Sequence, residues 1–373
     1  MSTLAIVFRK EMREILRDRR TLIAIGLAAL ATPTVLVVIS QVSTKTATQT
    51  YTVGYSGQIP TGLDILLTGT QLKLEQVADP AAAAKQQVDL GLAFLPAEID
   101  EYYDPTRQSA QIADTRLQIV LSNYNAAKAA AALRQKGIDP GVLNPLPVRA
   151  FPLSSPVKAA GNAFLSFFLP YILITMALTG GLSAAIDSSA GERERKTLES
   201  LLLTPASRSR ILLGKILAVS VISLVAALAA IGSMLLALSQ IPLLDTHVTL
   251  SPLAAAVMVW LAILLAGCFS SVTLALGTLA KNFRQGQAFS TPLYFITIFP
   301  ASIILFIPDF NPNIAYYLIP ILNAVLVLRD AIVHDSIAWP ELGLTTASLA
   351  ATGLICWFAA LRLFTRETLL IRS

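Results

Sequence analysis

Six stretches of this chain, 21–42, 162–186, 211–238, 252–280, 288–307 and 342–364, stay apolar over twenty residues or more. At about 1.5 Å of rise per residue, each is long enough to cross a hydrocarbon core of roughly 30 Å as a helix. Nothing constrains the fold more, because a segment in lipid must satisfy its backbone polar groups internally. Composition agrees: 54% of the 373 residues are hydrophobic and 14% charged, more apolar surface than a water-soluble fold can hide. The expected fold is therefore a polytopic α-helical membrane protein with six transmembrane helices. Pro33, Pro170 and Pro292 fall inside spans, where neighbouring helices can satisfy the freed carbonyls.

Basic residues orient the spans. Arginine and lysine crowd the segments around 1–20, 187–215, 281–287 and 362–373, while 239–251 has none and 308–341 has Arg329 alone. The positive-inside bias places both termini in the cytoplasm of a plasma or bacterial inner membrane. Within 1–20, Leu4, Val7, Phe8, Met12, Ile15 and Leu16 form one side of a helix, and Arg9, Lys10, Arg13, Arg17 and Arg20 the other. That is an interfacial elbow helix with its basic face toward anionic headgroups. The 21–42 run exceeds the apolar core of a cleaved signal peptide, so an uncleaved anchor is expected.

Residues 43–160 form a hydrophilic insertion between spans one and two, expected outside the cytoplasm. Its acids and bases balance, ten of each over 44–158, which argues against electrostatic capture of a highly charged ligand. Tyr51–Tyr55 and Val88–Phe94 read as strands. Ile112, Ile119, Val120, Tyr124, Ala127 and Ala131 give a helical period over 110–135, stopped by Gly137. A small α+β domain follows, returning to the membrane through Asn144–Pro147 and Ser154–Pro156. Residues 161–373 then hold five further spans. Within them, 315–333 is apolar but contains Pro320, Asn323, Arg329 and Asp330, and a seventh crossing would put Arg362, Arg366 and Arg372 outside. It reads as a re-entrant or outer-leaflet segment. Arg329 and Asp330, with Asn323, either line a polar cavity near the outer mouth or reach outside water.

Between the second and third spans lies Gly191-Glu192-Arg193-Glu194-Arg195-Lys196-Thr197-Leu198-Glu199, then Ser200-Leu201-Leu202-Leu203-Thr204-Pro205. So much charge between membrane-grade segments belongs at an aqueous face. The early acids suit a helix N-terminus, Glu192 and Lys196 are spaced for an i,i+4 pair, and Pro205 closes the segment. Leu198, Leu201 and Leu202 share one face. A short helix near 191–203, lying across the inner surface and offering leucines to a partner, is expected.

Chemistry of its own is hard to find in the chain. No G-x-x-x-x-G-K-[ST] run is present; Gly214-Lys215-Ile216 lacks the upstream glycine and the hydroxyl. H-E-x-x-H and G-x-S-x-G are absent as well. Cys268 and Cys356 sit in apolar spans as packing residues, and with His247 and His334 they offer no metal-binding spacing. The net charge of +5 reflects inner loops rather than nucleic-acid binding. Gly180-Gly181 and Gly277 mark close helix packing.

The strip from Gly191 to Lys215 resembles the signature G-E-[KR]-E-[RK]-x-T-[LM]-E-x-L-L-x-[ST]-P-[VA] of ABC-2 type exporter permeases, and Phe8–Thr21 resembles their elbow helix. The order of elbow, span, outer domain and five more spans is similar to the sodium-efflux (Nat-type) branch. The resemblance implies a permease subunit that is not itself an enzyme and pairs with a second copy or a paralogue. A separate cytoplasmic ATPase would bind ATP and Mg and receive the 191–205 strip as a coupling helix, with Glu192, Arg193, Glu194 and Arg195 at its rim. It further implies export, of Na+ or of an amphipathic drug or lipid. The alternative is a non-transporting device that uses ATPase-driven motion to act on envelope partners through the outer domain.

Overall fold

The computed structural model describes residues 3–96, 98–143, 156–239, 250–306, 312–333 and 336–365. The return linker at 144–147 and 154–155, His247, His334, Arg366 and Arg372 lie outside the described residues. The chain divides into two compact units, one of Met1–Ser40 with Pro152–Ser373 and one of Gln41–Phe151.

The first unit is helical. It opens with α1 (Thr3–Arg17) and α2 (Arg19–Thr48), separated at Asp18, whose carboxylate accepts a hydrogen bond from the Thr21 hydroxyl at the start of α2. After the second unit, α6 (Pro156–Ile186) leads through a wide π turn, Asp187–Gly191, into two short helices, α7 (Glu192–Glu194) and α8 (Thr197–Leu202). Then come α9 (Arg208–Leu238), α10 (Pro252–Leu279), α11 (Phe283–Phe306), a 3₁₀ turn at Ile314–Leu318, α12 (Leu322–Val333) and α13 (Trp339–Thr365).

Among the described residues, four helices are long and apolar enough to cross a membrane: Leu165–Glu194, Arg208–Leu238, Pro252–Leu279 and Trp339–Phe364. The span expected at 21–42 falls within α2 and the described part of that expected at 288–307, up to Phe306, within α11; parts of both helices' side chains are outside the described set. Leu169, Leu173, Ile231, Met234, Leu261, Leu265, Leu326 and Leu328 share the main core. Gly180 and Gly181 allow α6 to pack directly on Ala226, Ser223 and Val219 of α9, and Gly277 of α10 meets Ser189. Any side chain there would push the helices apart, which is why small residues occupy helix contacts in lipid.

Segment 315–333 has no spanning helix. At about 1.5 Å per residue, the twelve residues of α12 cover only about 18 Å, and Leu322–Leu328 are buried on every side. Ile321, at φ +75°, turns the chain into it.

The second unit contains β1 (Tyr51–Ser56), α3 (Leu63–Gly69), β2 (Leu72–Gln76), α4 (Pro80–Gln86), β3 (Leu90–Phe94), β4 (Ile99–Tyr102) and α5 (Gln108–Gln135). Its sheet runs β2-β1-β3-β4, parallel except for the antiparallel β3–β4 pair. Tyr51, Val53, Leu90 and Leu92 pack with Leu63, Leu67, Ala113, Leu117 and Val120 from α3 and α5. Against the opposite face, the N-terminus of α4 lies on Gly91, and Asp79 caps that helix through the amides of Ala81 and Ala82. Both expected strands and the expected helix are present. The core face of α5 differs from the expected stripe: Ala110, Ala113, Leu117 and Val120 are buried, whereas Ile119 is 58% exposed.

Candidate functional site

The charged strip is not one helix across a surface. Its first half continues α6 through the π turn, where the Ser189 hydroxyl donates back to the Ala185 carbonyl (2.6 Å) and competes with regular helix bonding. At Lys196 the backbone turns left-handed (φ +58°), breaking the segment between α7 and α8. An L-residue takes that conformation at a cost and the helix cannot pass through it.

The expected Glu192–Lys196 pair does not form. Glu192 is 3% exposed and turns inward, its Oε1 meeting Lys10 of α1 at 2.7 Å and its Oε2 meeting Lys215 of α9 at 2.8 Å. Lys215, 1% exposed, also donates to Glu11 Oε1 (2.9 Å) and to the Ser188 carbonyl (2.8 Å) that the π turn presents. Lys10 closes the ring on Glu11 at 3.0 Å and reaches Glu14 at 3.3 Å. Two lysines and two buried glutamates thus join α1, α7 and α9. Burial alone would lower the Lys10 pKa, but the carboxylates of Glu11 and Glu192 hold it above the ordinary lysine value. The oxygens of Glu11, Glu14 and Glu192 come within 4.8 Å of one another, and the two ammonium groups already sit among them.

The next three charges are also used within the chain. Arg193 donates to the carbonyls of Thr278 and Ala280, each at 2.9 Å, at the negative C-terminal end of α10. Glu194 accepts from the Phe283 amide (2.9 Å) at the N-terminus of α11. Adjacent residues of opposite charge therefore cap the two helix ends that face each other across the 280–282 turn. Arg195 pairs with Asp187, Nη1 to Oδ1 at 2.9 Å and Nη2 to Oδ2 at 3.1 Å. The expectation that Glu192, Arg193, Glu194 and Arg195 make rim contacts with a partner is corrected for Glu192, which is buried; Arg193 and Glu194 hold helix ends and Arg195 pairs with Asp187, with Glu194 and Arg195 still exposed.

Leu198 is corrected too. It is buried with Val7, Ile211 and Phe364, with Leu201 packed beside them, so this face belongs to the protein's own interior. What the strip leaves in the open is Glu194, Arg195, Lys196, Thr197, Ser200, Leu203, Thr204 and Pro205, with Leu203 88% exposed. Gly191 is buried beside Asp187. The side chains of Glu199, Leu202 and Arg20 lie outside the described set. A hollow of about 560 Å³ opens between α1 and the strip, lined by Lys10, Glu14, Asp187, Arg195, Ser200 and Thr204 among others.

On α1, Arg9, Arg13 and Arg17 are exposed, but Lys10 has left the basic face for the buried ring and Leu16 stands in the open. Gly214 lets α1 approach α9; a Cβ there would lie 2.8 Å from Val7. Asn323 lines no mouth. It is fully buried, donates to the Tyr317 carbonyl (3.1 Å) and accepts from the Ala324 amide, so it ties the turn before α12. Asp330 is half-buried and accepts from the Tyr317 hydroxyl at 3.1 Å; Arg329 is half-buried beside it.

Sequence reasoning passed over Glu11 and Lys215. The signal was there: a lone lysine inside the third span, and an acid in the Val7–Glu11–Ile15 series on the apolar side of the elbow. A charge at such a position needs a partner.

Apolar helices of bilayer length, bolted to a charged segment and an amphipathic N-terminal helix, define a polytopic membrane protein. A model of the family described as ABC-2 family transporter protein matches residues 5–367, and the chain belongs to that family. It is 26% identical over 343 residues to the ABC transporter permease protein NatB of Bacillus subtilis (strain 168), covering 86% of this chain and 87% of that protein. The family supplies membrane components of ABC transporters and is not itself enzymatic.

Proposed function

We propose that this chain is the six-span permease subunit of an ATP-driven exporter, worked by a separate cytoplasmic ATPase. The spans would be α2, α6, α9, α10, α11 and α13, with both termini and the strip in the cytoplasm, as the basic residues favour. The 41–151 unit would then lie outside, and α12 would enter and leave from the outer side. ATP and Mg would be bound by the ATPase, and a second permease copy or a paralogue would complete the transporter.

One observation carries this reading: Glu192, Arg193 and Glu194 tie the strip to α1, α9, α10 and α11 at once. A segment held at so many points cannot be pushed without moving those helices, which is what rigid-body transmission of ATPase closure requires. The ATPase contact shifts from Leu198 and Leu201 to the exposed Lys196, Ser200 and Leu203–Pro205 edge.

For the substrate we keep Na+ or an amphipathic drug or lipid. Oxygen donors that suit a cation are available in Ser270, Thr297 and Thr345, buried hydroxyls without a hydrogen-bond partner among the described residues. The test is co-purification with the ATPase and ATP-dependent flux in proteoliposomes. Leu203→Asp is expected to lower ATPase co-purification at least tenfold while membrane insertion persists. ATPase binding unchanged in that variant would contradict the docking edge, and ATP-driven motion without flux of either substrate class would point to the envelope-device alternative.

A further inference from the structure

In the sheet of the 41–151 unit, β1 and β2 are parallel neighbours whose connections part. The chain leaves β1 for α3 on one face of the sheet and leaves β2 for α4 on the other. Strands joined in this way open a crevice beyond their carboxyl ends, the place where open α/β sheets take ligands. A hollow of about 560 Å³ lies there, within the size range of small-molecule sites. Gly57, at φ +91°, starts the turn out of β1, and a Cβ there would run into the Phe94 carbonyl. Half-buried Tyr55, Ile59 and Leu74 supply the apolar lining, and exposed Thr61, Asp64 and Gln76 the polar lining. Asp64 is the one charged side chain among the lining residues. Elsewhere in the unit Asp79 caps α4, Asp89 meets Arg107 and Asp104 accepts from Thr106. The Asp64 carboxylate has no such use among the described residues, and neither do the side-chain polar groups of Tyr55, Thr61 and Gln76. An acid in the first turn of α3 suits that helix for its own sake, but this leaves the three neutral groups around the hollow unexplained.

We propose that this hollow is a binding site for a small organic ammonium ion, one positive charge on an apolar body. A single carboxylate with no base in the lining selects one positive charge, through a charge-assisted hydrogen bond. The Thr61 hydroxyl and the Gln76 carbonyl accept further N–H groups. Tyr55 adds the attraction of an aromatic ring for a cation and, with Ile59 and Leu74, receives the apolar body. An anion would meet Asp64 with no cation to balance it. A neutral polyol would hydrogen-bond the carboxylate without answering its charge. The inference uses the 41–151 unit alone and does not depend on the permease reading.

The experiment is isothermal titration of the full-length chain, in a neutral detergent, with 2-phenylethylammonium, 2-phenylethanol and 3-phenylpropanoate. The three probes share an apolar body and differ in charge. The wild type should bind the ammonium at least about tenfold more tightly than the alcohol, the order set by a hydrogen bond to a charged group. Asp64→Asn should remove that preference and Asp64→Glu should keep most of it, separating the charge from folding. Tyr55→Leu should weaken the ammonium at least about threefold, while Tyr55→Phe, which keeps the ring, should not. Equal affinity for the ammonium and the alcohol in the wild type would overturn the proposal. So would tighter binding of the carboxylate, or an ammonium preference that survives Asp64→Asn, since the cation would then be held elsewhere in the chain.

Discussion

In the strip after α6, Glu192, Arg193 and Glu194 each grip another part of the chain, and Arg195 grips Asp187 in the turn before it. The 41–151 unit also has many charges, ten acids and nine bases, yet no charged side chain described there is buried. Its sheet is assembled from apolar contacts around Val53, Leu92 and Leu117. Charge is buried at Glu192 in the strip; in the 41–151 unit it works from the surface, where Asp79 caps α4 and Arg107 pairs with Asp89 at 3.5 Å. The physical reason is the partner available: the strip lies beside helix ends and a buried lysine, while the charges of the 41–151 unit meet water and one another at its surface.

The sharpest way to break this comparison is Lys215→Met. Removing one partner from a buried ion cluster leaves an uncompensated charge and costs roughly 3–5 kcal/mol. The variant should lose most of its thermal stability in detergent, and a shift within error of wild type would show the ring to be incidental. In the 41–151 unit, Leu117→Ala should cost roughly 2–5 kcal/mol through the cavity it leaves, without altering ATPase binding. Arg193→Ala should follow at about 1.5–3 kcal/mol, the usual worth of hydrogen bonds to a charged group, read as faster proteolysis near 280–283.

Glu101 sharpens the comparison from the 41–151 unit. Burial first, then the neighbouring Asp114 carboxylate, push its pKa up to about 7 from the ordinary 4.5. Gln118 donates to both carboxylates, at 2.9 and 3.3 Å. A raised carboxyl pKa means that the folded state favours the protonated acid. Its contribution to stability is fully present below pH 4.5 and is lost as pH rises through about 7. Glu101→Gln should flatten the thermal midpoint of the 41–151 unit over that window; an unchanged pH profile would remove Glu101 as its source. The smallest effect belongs to the exposed Arg195–Asp187 pair, for which Arg195→Gln should cost no more than about 1 kcal/mol.

Much of the architecture is legible in local pattern. Apolar runs mark the helices, Tyr51–Tyr55 and Val88–Phe94 mark β1 and β3, and Gly137, at φ +71°, ends α5. β2, β4, α3 and α4 were not legible. Leu72-Lys73-Leu74-Glu75-Gln76 is too short and polar to declare itself, and only pairing with β1 makes it a strand. On α5, Ile119 looked like core by type, yet the narrow approach to the sheet takes the alanines instead. The candidate site was found in position and missed in partners. Glu192 meets a lysine 182 residues away in Lys10, and Lys215 meets Glu11 across 204. Local spacing pointed to Lys196, because an i,i+4 rule cannot see a charge that tertiary packing brings in. Leu198 was assigned to a partner for the same reason: a leucine face shows that something covers it, not whether the cover is Val7 and Phe364 of the same chain.

The most direct test of the buried ring is a double-mutant cycle on Glu192→Gln and Lys215→Met, read as thermal midpoints of the full chain in detergent. The geometry predicts strong coupling, with each single variant destabilised and the double variant recovering at least about 1.5 kcal/mol relative to their sum, as contacting charged residues do. Additive effects would mean that Glu192 and Lys215 do not meet, and the strip would then have to be rebuilt as the free surface helix that its sequence first suggests.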